Sequence, residues 1–586
     1  MGNRSLSPVF VGASALVLLL AGTEGRAAAE APTFGSDDTV GDRIDGEIAI
    51  DVRDDASPAE IDALGAKYGV SMRPNSAWSR THDKLEVADV DPAREDAILE
   101  AMSHDPRIEH VEPMAVYRET FVPNDPLYAS KQWHLRRVGA EKAWSYTCGQ
   151  GVTVAVVDTG IACFDKGPFS RGTDLAGTRC EGGWNFVDDS REAYDDQGHG
   201  THVAGTIAQT TNNGVGTAGL AFCASLMPIK VLNKQGFGSV ANVAEGIRFA
   251  ADQGAQIINL SLGGPIKSGI LKDAVDHALS AGVVVVAAAG NSGKKVGWPA
   301  AYPGVVAVSA TDDTDKIAWF SSRGPEVAIG APGVGVTQQT VCNGGRDKCE
   351  IFGTFNGTSM ASPHVAGVAA MIESLGVTRG DAVREALTDT ARAPAGGADP
   401  KLYGAGILDG GAATSHVFWR HFVLRALALA GLAGLVRRRI VKRGGRFARS
   451  PAALFGACLA GIGLLPFIPL SGLLMTHAGK LHDFVELAMR PLGEWDAILV
   501  GAGLHRWLLL ASALPSIALT ALGFASRRMR PLIGGIALGT AALLCQMAYS
   551  ADVAFVAGAA LARLWAVGNA LVCLWIARVA LDAKRA

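Results

Sequence analysis

No excess of one charge runs through this chain: 53 Lys and Arg stand against 56 Asp and Glu, a formal net charge of -3. A balance of mixed sign gives no field to draw in nucleic acid or a strongly acidic partner, and neither is expected. The 71 glycines follow no G-X-Y period, which excludes a collagen-like rod. No close Cys/His spacing of the kind that closes a zinc site occurs. The apolar C-terminal region has no paired acids and no Gly/Pro-broken repeat, the marks of a transport path. What remains is a chain of 586 residues, too long for one hydrophobic core and therefore expected to form several domains.

Residues 1–29 read as a secretory signal. Arg4 supplies the positive start, residues 9–21 an apolar stretch, and Ala27-Ala28-Ala29 a small-residue cleavage site. The stretch is short against the roughly 20 residues of a membrane helix, so cleavage is the expectation. No cysteine near its end offers a lipid attachment point. Residues 30–42 form a polar linker. Residues 43–119 alternate strand and helix signals: strands over 47–52, 84–90 and 108–117, and helices over 57–68 and 92–102, with Ser57 as N-cap before Pro58. That order predicts a small α+β domain with helices on one face of a sheet.

Residues 120–414 predict an α/β domain. Short continuous apolar runs at 152–157, 225–232, 257–260 and 283–288 have strand length, and amphipathic patterns at 240–253 and 272–281 lie between them. Such runs imply a parallel sheet buried by helices on both faces, with ligands at the carboxyl ends of its strands. Residues 415–586 change character again, to apolar runs separated by basic clusters. About five spans, at 417–436, 451–475, 507–525, 532–549 and 554–577, would put the large basic clusters on one side, from Arg437-Arg438-Arg439 to Arg527-Arg528 and Lys584-Arg585. That side is expected to be cytoplasmic. The region is then an all-α transmembrane tail in contact with membrane lipid, and the α/β domain is extracytoplasmic, as a secretory signal also requires.

Cysteine usage agrees with an exported domain. Cys148, Cys163, Cys180, Cys223, Cys342 and Cys349 all fall in the α/β region, an even number that favours disulfides. Cys342 and Cys349 close a short Gly-rich loop and are the expected pair. Cys163 with Cys180 and Cys148 with Cys223 is one of many arrangements for the rest. Cys458, Cys545 and Cys573 lie in apolar tail segments as buried thiols.

Three segments of the α/β domain carry chemistry: Val156-Val157-Asp158-Thr159-Gly160, Gly198-His199-Gly200-Thr201-His202, and Asn356-Gly357-Thr358-Ser359-Met360-Ala361-Ser362-Pro363-His364. A serine hydroxyl is a poor nucleophile at neutral pH. It needs a histidine to take its proton and a buried carboxylate to orient that histidine. An acid at the end of a buried strand, then a histidine, then a serine meets those needs, in the chain order of subtilisin.

These segments resemble the subtilisin-like serine proteases over roughly residues 123–413. Pro123-Asn124-Asp125-Pro126, with Gln132-Trp133 and Ala143-Trp144, is similar to the thermitase branch. The resemblance implies a serine endopeptidase that hydrolyses protein and peptide substrates through an acyl-enzyme. It makes Asp158 the orienting carboxylate, His199 the general base and acid, Ser359 the nucleophile, and Asn291 the side-chain donor to the oxyanion. His202 and His364 are expected to be structural. Ser261-Leu262-Gly263-Gly264 resembles the edge strand that pairs with an extended peptide. Gly297 resembles the glycine at the base of the specificity pocket, with no acid there to select basic residues. The loop 211–219 resembles the family's calcium loop, which implies ligands from the side chains of Asp125, Asp174 and Asn213 and the carbonyls of Thr211, Val215 and Thr217. Residues 43–119 then correspond to an inhibitor-like propeptide, a partner for the chain's own folding. Self-cleavage is expected between about Tyr117 and Pro123, where exposed chain joins the two domains and Tyr117 or Phe121 offers an aromatic for the pocket.

Overall fold

Valine and alanine runs build the central sheet of the protein, because a strand covered on both faces has no position where a polar side chain reaches water. The computed structural model describes residues 42–116, 121–343, 352–465, 487–500, 509–553, 556 and 558–583. Contacts divide the chain into two units, Met1–Glu119 and Thr120–Ala586.

In the first unit, strands β1 (Asp42–Val52), β2 (Ser71–Pro74), β3 (Leu85–Asp89) and β4 (Ile108–Val116) form an antiparallel sheet in the order β2-β3-β1-β4. Ile48, Ile50 and Val52 alternate inward from β1. They pack with Leu64 of helix α1 (Pro58–Tyr68) and with Ile98 and Met102 of helix α2 (Glu95–Ser103). Ser57 caps α1 in a capping box with Glu60. The edge strand β2 is an addition to the three strands expected from sequence.

In the second unit, six strands form the body of an eight-stranded sheet: β5 (Thr153–Asp158), β6 (Ser225–Lys230), β7 (Ile257–Leu260), β8 (Val284–Ala288), β9 (Val306–Thr311) and β10 (Val327–Pro332). The order is β10-β9-β8-β7-β5-β6, all parallel, with two short strands beyond β6. Side chains alternate between two cores: Val154 and Val156 of β5 face one, Ala155 and Val157 the other. Helices α4 (Val240–Asp252) and α5 (Gly269–Ser280) cover the second core. Helix α6 (Thr358–Ser374) runs through the first and is buried along nearly its whole length. The sheet's direction of travel reverses at β5, which has β6 on one side and β7 on the other, so a crevice opens at the carboxyl ends of these strands. Helix α3 (His199–Ala208) begins beside that crevice. Disulfides join Cys148 to Cys223 and Cys163 to Cys180. Of the expected Cys342–Cys349 pair, Cys349 lies outside the described residues.

Helix α7 (Gly410–Lys442) leaves the α/β body without a linker. Asp409 caps it, and the Gly410 amide donates to the Val138 carbonyl at 2.7 Å. It leads to α8 (Pro451–Gly461), α9 (Leu514–Gly523), α10 (Arg530–Ser550) and α11 (Ala559–Ala580). Helices α8 and α10 approach backbone to backbone: a Cβ on Gly535 would sit 2.1 Å from the Ala453 carbonyl, and one on Gly539 2.4 Å from that of Ala457. Small residues at such crossings are typical of helices packed in lipid. Among the described residues α7, α10 and α11 are long and apolar enough to cross a membrane. Three of the expected spans, 451–475, 507–525 and 554–577, extend into residues outside those described.

The two ends of this helical region differ. At one end are Gly410 of α7 and Ser550 of α10, whose carbonyl accepts from Arg379 of the α/β body. At the other end the chain after α7 meets the end of α11, where the Ala448 amide donates to the Leu581 carbonyl and the Ala583 amide to that of Arg446. Val436 and Ile440 pack there against Ile533 near the start of α10. The basic residues Arg437, Arg438, Arg439, Lys442 and Arg530 therefore gather at the end away from the α/β body. Between the ends, large apolar side chains face outward, among them Leu427, Leu522, Leu561, Leu564, Leu571 and Trp575.

Candidate active site

Asp158 is the last residue of β5 and is fully buried. Its Oδ1 accepts from the Thr159 amide at 2.7 Å and lies 2.7 Å from His199 Nδ1. Its Oδ2 is buried with no hydrogen-bond partner. A carboxylate in this position makes Nδ1 the protonated nitrogen of His199 and leaves Nε2 as an acceptor. His199 opens α3, and the turn before it is held by Asp195. One Asp195 oxygen accepts from Thr159 Oγ1 and the Gln197 and Gly198 amides at 2.9 Å each. The other accepts from the Thr201 amide at 2.9 Å and the Thr201 hydroxyl at 2.6 Å. Helix and strand meet so closely that a Cβ on Gly200 would fall 2.2 Å from the Gly160 carbonyl. Sequence reading missed Asp195. Its signal was an acid three residues ahead of the Gly198-His199 turn.

Ser359 sits in the first turn of α6 and is partly exposed. Its hydroxyl donates to the Ser261 carbonyl at 3.0 Å and makes no hydrogen bond with His199. The backbone around it is fixed by a chain of side chains. Ser261 Oγ donates to the Ser359 carbonyl at 2.8 Å, Asn259 Nδ2 to Ser261 Oγ at 2.9 Å, and Ser362 Oγ to Asn259 Oδ1 at 2.6 Å. Asn259 and Ser362 are buried and were also missed, since each reads as an ordinary polar residue inside a strand or a helix.

Asn291 follows β8. Its Oδ1 accepts from the Thr358 amide and hydroxyl, both at 2.9 Å, which orients the amide and leaves Nδ2 to donate elsewhere. The position a Cβ would take on Gly357 lies 3.3 Å from Asn291 Nδ2 and 3.6 Å from the Ser359 amide nitrogen. Both nitrogens therefore lie beside Gly357, close to Ser359.

Beside them, the segment 261–264 runs antiparallel to 297–298: Gly264 and Trp298 exchange amide-to-carbonyl bonds of 2.8 and 2.9 Å. Gly263 and Gly297 border the gap between the two segments. A Cβ on either would approach a carbonyl of the facing segment to 3.2 Å. Leu262 packs against the core beneath. The expected substrate-binding residues Ser261, Leu262, Gly263 and Gly297 therefore lie on two facing segments, one of which bonds Ser359 through Ser261. His202 and His364 are buried and structural: His202 Nε2 lies 3.1 Å from the carbonyls of Val336 and Gly353, and His364 Nε2 lies 2.8 Å from His134 Nδ1.

The expected cation ligands also meet, at a distance from the groove in sequence. Asp125 Oδ2 accepts from the Asn212 amide at 2.7 Å, while its Oδ1 is buried and unpartnered. Asp174 accepts from Asn213 Nδ2 at 2.7 Å and from the Thr217 amide at 2.9 Å. Asn213 Oδ1 accepts from the Val215 amide at 2.8 Å, and Thr211 Oγ1 from the Gly219 amide at 3.0 Å. Burial pushes both carboxyls up to about 6, and Asp125 adds to the rise at Asp174. Two buried acids with a free oxygen between them suit a cation. Among the described residues no three His, Cys, Asp or Glu side chains gather for a metal, so such a cation would rely on amide and carbonyl oxygens as well.

Phe121 departs from the expectation. It is buried, edge-on to Trp144 with ring centroids 5.6 Å apart, and packs with Phe222. A side chain fixed in the domain core is not available to enter a specificity pocket, so Phe121 is withdrawn as a cleavage-site residue.

Several known proteins are similar to this chain. Residues 149–406 match the model of the subtilase family. Thermitase from Thermoactinomyces vulgaris is 41% identical over 272 residues, which cover 46% of this chain and 92% of that protein. Subtilisin Savinase from Lederbergia lenta is 41% identical over 288 residues, covering 49% and 99%. A solved protease from Pseudoalteromonas arctica PAMC 21717 aligns with a TM-score of 0.45 at 31% identity, over 50% of this chain and 99% of its own.

The electrostatics set a pH dependence. Burial alone would lower the pKa of His199, but the Asp158 carboxylate, with a smaller contribution from Asp195, holds the imidazole above its ordinary value. A general base works in its neutral form, so kcat/KM should rise with pH through this raised pKa. Asp158→Asn removes the charge. It should move that acid limb to lower pH and cut kcat by about 10⁴-fold, as loss of the orienting carboxylate does in such triads. An acid limb that stays in place in the Asp158→Asn protein would contradict the assignment.

Proposed function

Because this chain belongs to the subtilase family of serine proteases, we propose that it is a self-processing endopeptidase held to a membrane, with its peptidase domain on the extracytoplasmic side. The carrying observation is that His199 lies 2.7 Å from a buried carboxylate, while the Asn291 side-chain amide and the Ser359 amide nitrogen both lie beside Gly357.

The reaction follows from these positions. An extended peptide pairs along 261–264 with its scissile carbonyl over Ser359. The Ser359 hydroxyl turns from the Ser261 carbonyl to His199 Nε2, gives up its proton there, and Oγ bonds to the carbonyl carbon. Negative charge develops on the carbonyl oxygen, where Asn291 Nδ2 and the Ser359 amide donate to it. Loss of one such donor typically costs about 10²- to 10³-fold in rate. The tetrahedral species collapses as His199 protonates the departing amine, leaving an acyl-Ser359 ester. Water, deprotonated by His199, then attacks the ester and restores the serine. Asp158 keeps its negative charge throughout and stabilises the imidazolium.

Residues 43–119 act as a propeptide in this reading. A parallel sheet depends on non-local contacts and folds slowly, which favours a template made upstream. With Phe121 committed to the peptidase core, the cut falls between Tyr117 and Phe121. The wild-type protein should begin in that window, and Ser359→Ala should keep residues 43–119 covalently attached. N-terminal sequencing of both purified proteins decides it. Equal processing of Ser359→Ala in a host without other proteases would sink self-cleavage.

Asp125, Asp174 and Asn213, with the carbonyls of Thr211, Val215 and Thr217, would hold a calcium ion, which supplies the positive charge that two buried carboxylates require. Calcium binds the folded form, so it should raise Tm, and EDTA should lower it. Asp174→Asn should abolish the difference. A melting curve indifferent to both calcium and EDTA would count against the site.

The outward apolar side chains of α7, α9 and α11, the glycine-mediated crossing of α8 on α10, and the basic end opposite the peptidase body all favour a membrane-embedded tail of about five spans. Reporter domains fused after Ser450 or Met529 should then behave as cytoplasmic, and one fused near Leu481 as external. The reverse pattern would overturn the topology.

A further inference from the structure

The tail grips the face of the peptidase body opposite the active site. The catalytic residues stand at the carboxyl ends of β5, β7 and β8. The tail meets the other ends. Arg490 and Glu494 share a cavity of about 80 Å³ with Gly151, Val152, Gln256 and Val283, which precede or begin those same strands. Helix α6 makes the separation explicit. Ser359 lies in its first turn, while the carbonyls at its far end are capped by the tail: Ser374 accepts from Arg490, and Leu375 accepts from His421 Nδ1 at 3.1 Å. Arg490 also donates to Thr147 of the body at 3.2 Å. Just behind these caps Arg425 pairs with Glu494 at 2.5 Å and donates to Gln546 at 3.0 Å. With 17 residues, α6 spans roughly 25 Å at 1.5 Å per residue.

No flexible stalk relaxes this geometry, because α7 starts at Gly410, whose amide bonds the body directly. We infer that the docked tail fixes the cleft facing away from the bilayer, so that the substrates are soluble extracytoplasmic chains and membrane-protein segments that extend well clear of the surface, and juxtamembrane bonds are spared. The inference rests on the membrane-tethered reading above and specifies which proteins that enzyme reaches. An anchored chain must first climb the height of α6. That takes about 7 fully extended residues at roughly 3.4 Å each, before any residue enters the groove. A flexible tether covers about 5–6 Å times the square root of its length, so comfortable reach needs on the order of 20 residues.

The test uses the full-length protein in lipid vesicles together with single-span reporter proteins. Each reporter carries one cleavable sequence, set about 5, 10, 20 or 30 residues outside its span, lengths that bracket the extended and flexible reaches. The same sequence is supplied as a soluble peptide. The soluble peptide and the longest reporter should be cut, and the shortest reporter should be cut at least about 10-fold more slowly, given the shortfall in reach. Equal rates for the shortest and longest reporters would overturn the inference, as would failure to cut the longest reporter while the soluble peptide is cut. If neither the soluble peptide nor any reporter is cut, the peptidase reading itself fails, a result distinct from loss of spacer dependence.

Discussion

Helix α6 has almost no surface of its own, and that fact ties the parts of this protein together. Nearly every residue from Thr358 to Ser374 is buried, so the helix is placed by the sheet beneath it and the helices around it rather than by its own propensity. A residue such as Pro363 is tolerated within it. What the burial secures is position at both ends. At the first turn, Ser359 is held through Ser261, Asn259 and Ser362, so it is registered to β7. At the last turn the exposed carbonyls of a helix need donors, and the tail supplies them through Arg490 and His421.

The charges near the nucleophile obey the same requirement of fixed position. A buried carboxylate is costly unless donors surround it. Asp195 meets that cost fully, with donors on both oxygens, and it shapes the turn that aims His199. Asp158 meets it only in part, since one oxygen has no partner. Its remaining interactions are with the Thr159 amide and His199, so the imidazolium that forms during catalysis falls beside a carboxylate with unspent acceptor capacity. Asp195 therefore serves position, and Asp158 serves charge.

Sequence reading located the strands that are continuous in valine and isoleucine and the residues at their carboxyl ends, because an apolar run ending in a polar motif is a local signal. It did not identify Val306–Thr311 and Val327–Pro332 as strands. Ser309 and Gly330 dilute those runs, and their burial comes from neighbouring strands and from α6. The short Ser71–Pro74 strand carries Arg73 and Pro74 on an edge and has no apolar signature. Phe121 was misread because its surroundings, Trp144 and Phe222, are distant in sequence and a lone aromatic in a polar stretch does not announce its partners. The Cys148–Cys223 and Cys163–Cys180 bonds were among the arrangements considered, and only the fold could choose between them.

The beginning of α7 resolves a difficulty that the sequence raises but cannot answer. Arg420, His421 and Arg425 interrupt an otherwise apolar run, which makes it a poor membrane span when read as one piece. The structure divides the helix by what its residues touch. From Gly410 to Arg425 the buried positions face the peptidase body or the polar joint with Glu494 and Gln546, whereas Val436 and Ile440 face apolar side chains of other tail helices. His421 and Arg425 are thus polar because the first half of the helix belongs to the base of the α/β body. The second half is apolar because it belongs to the tail. A single continuous helix that serves both surroundings couples the orientation of the peptidase body to that of the tail helices.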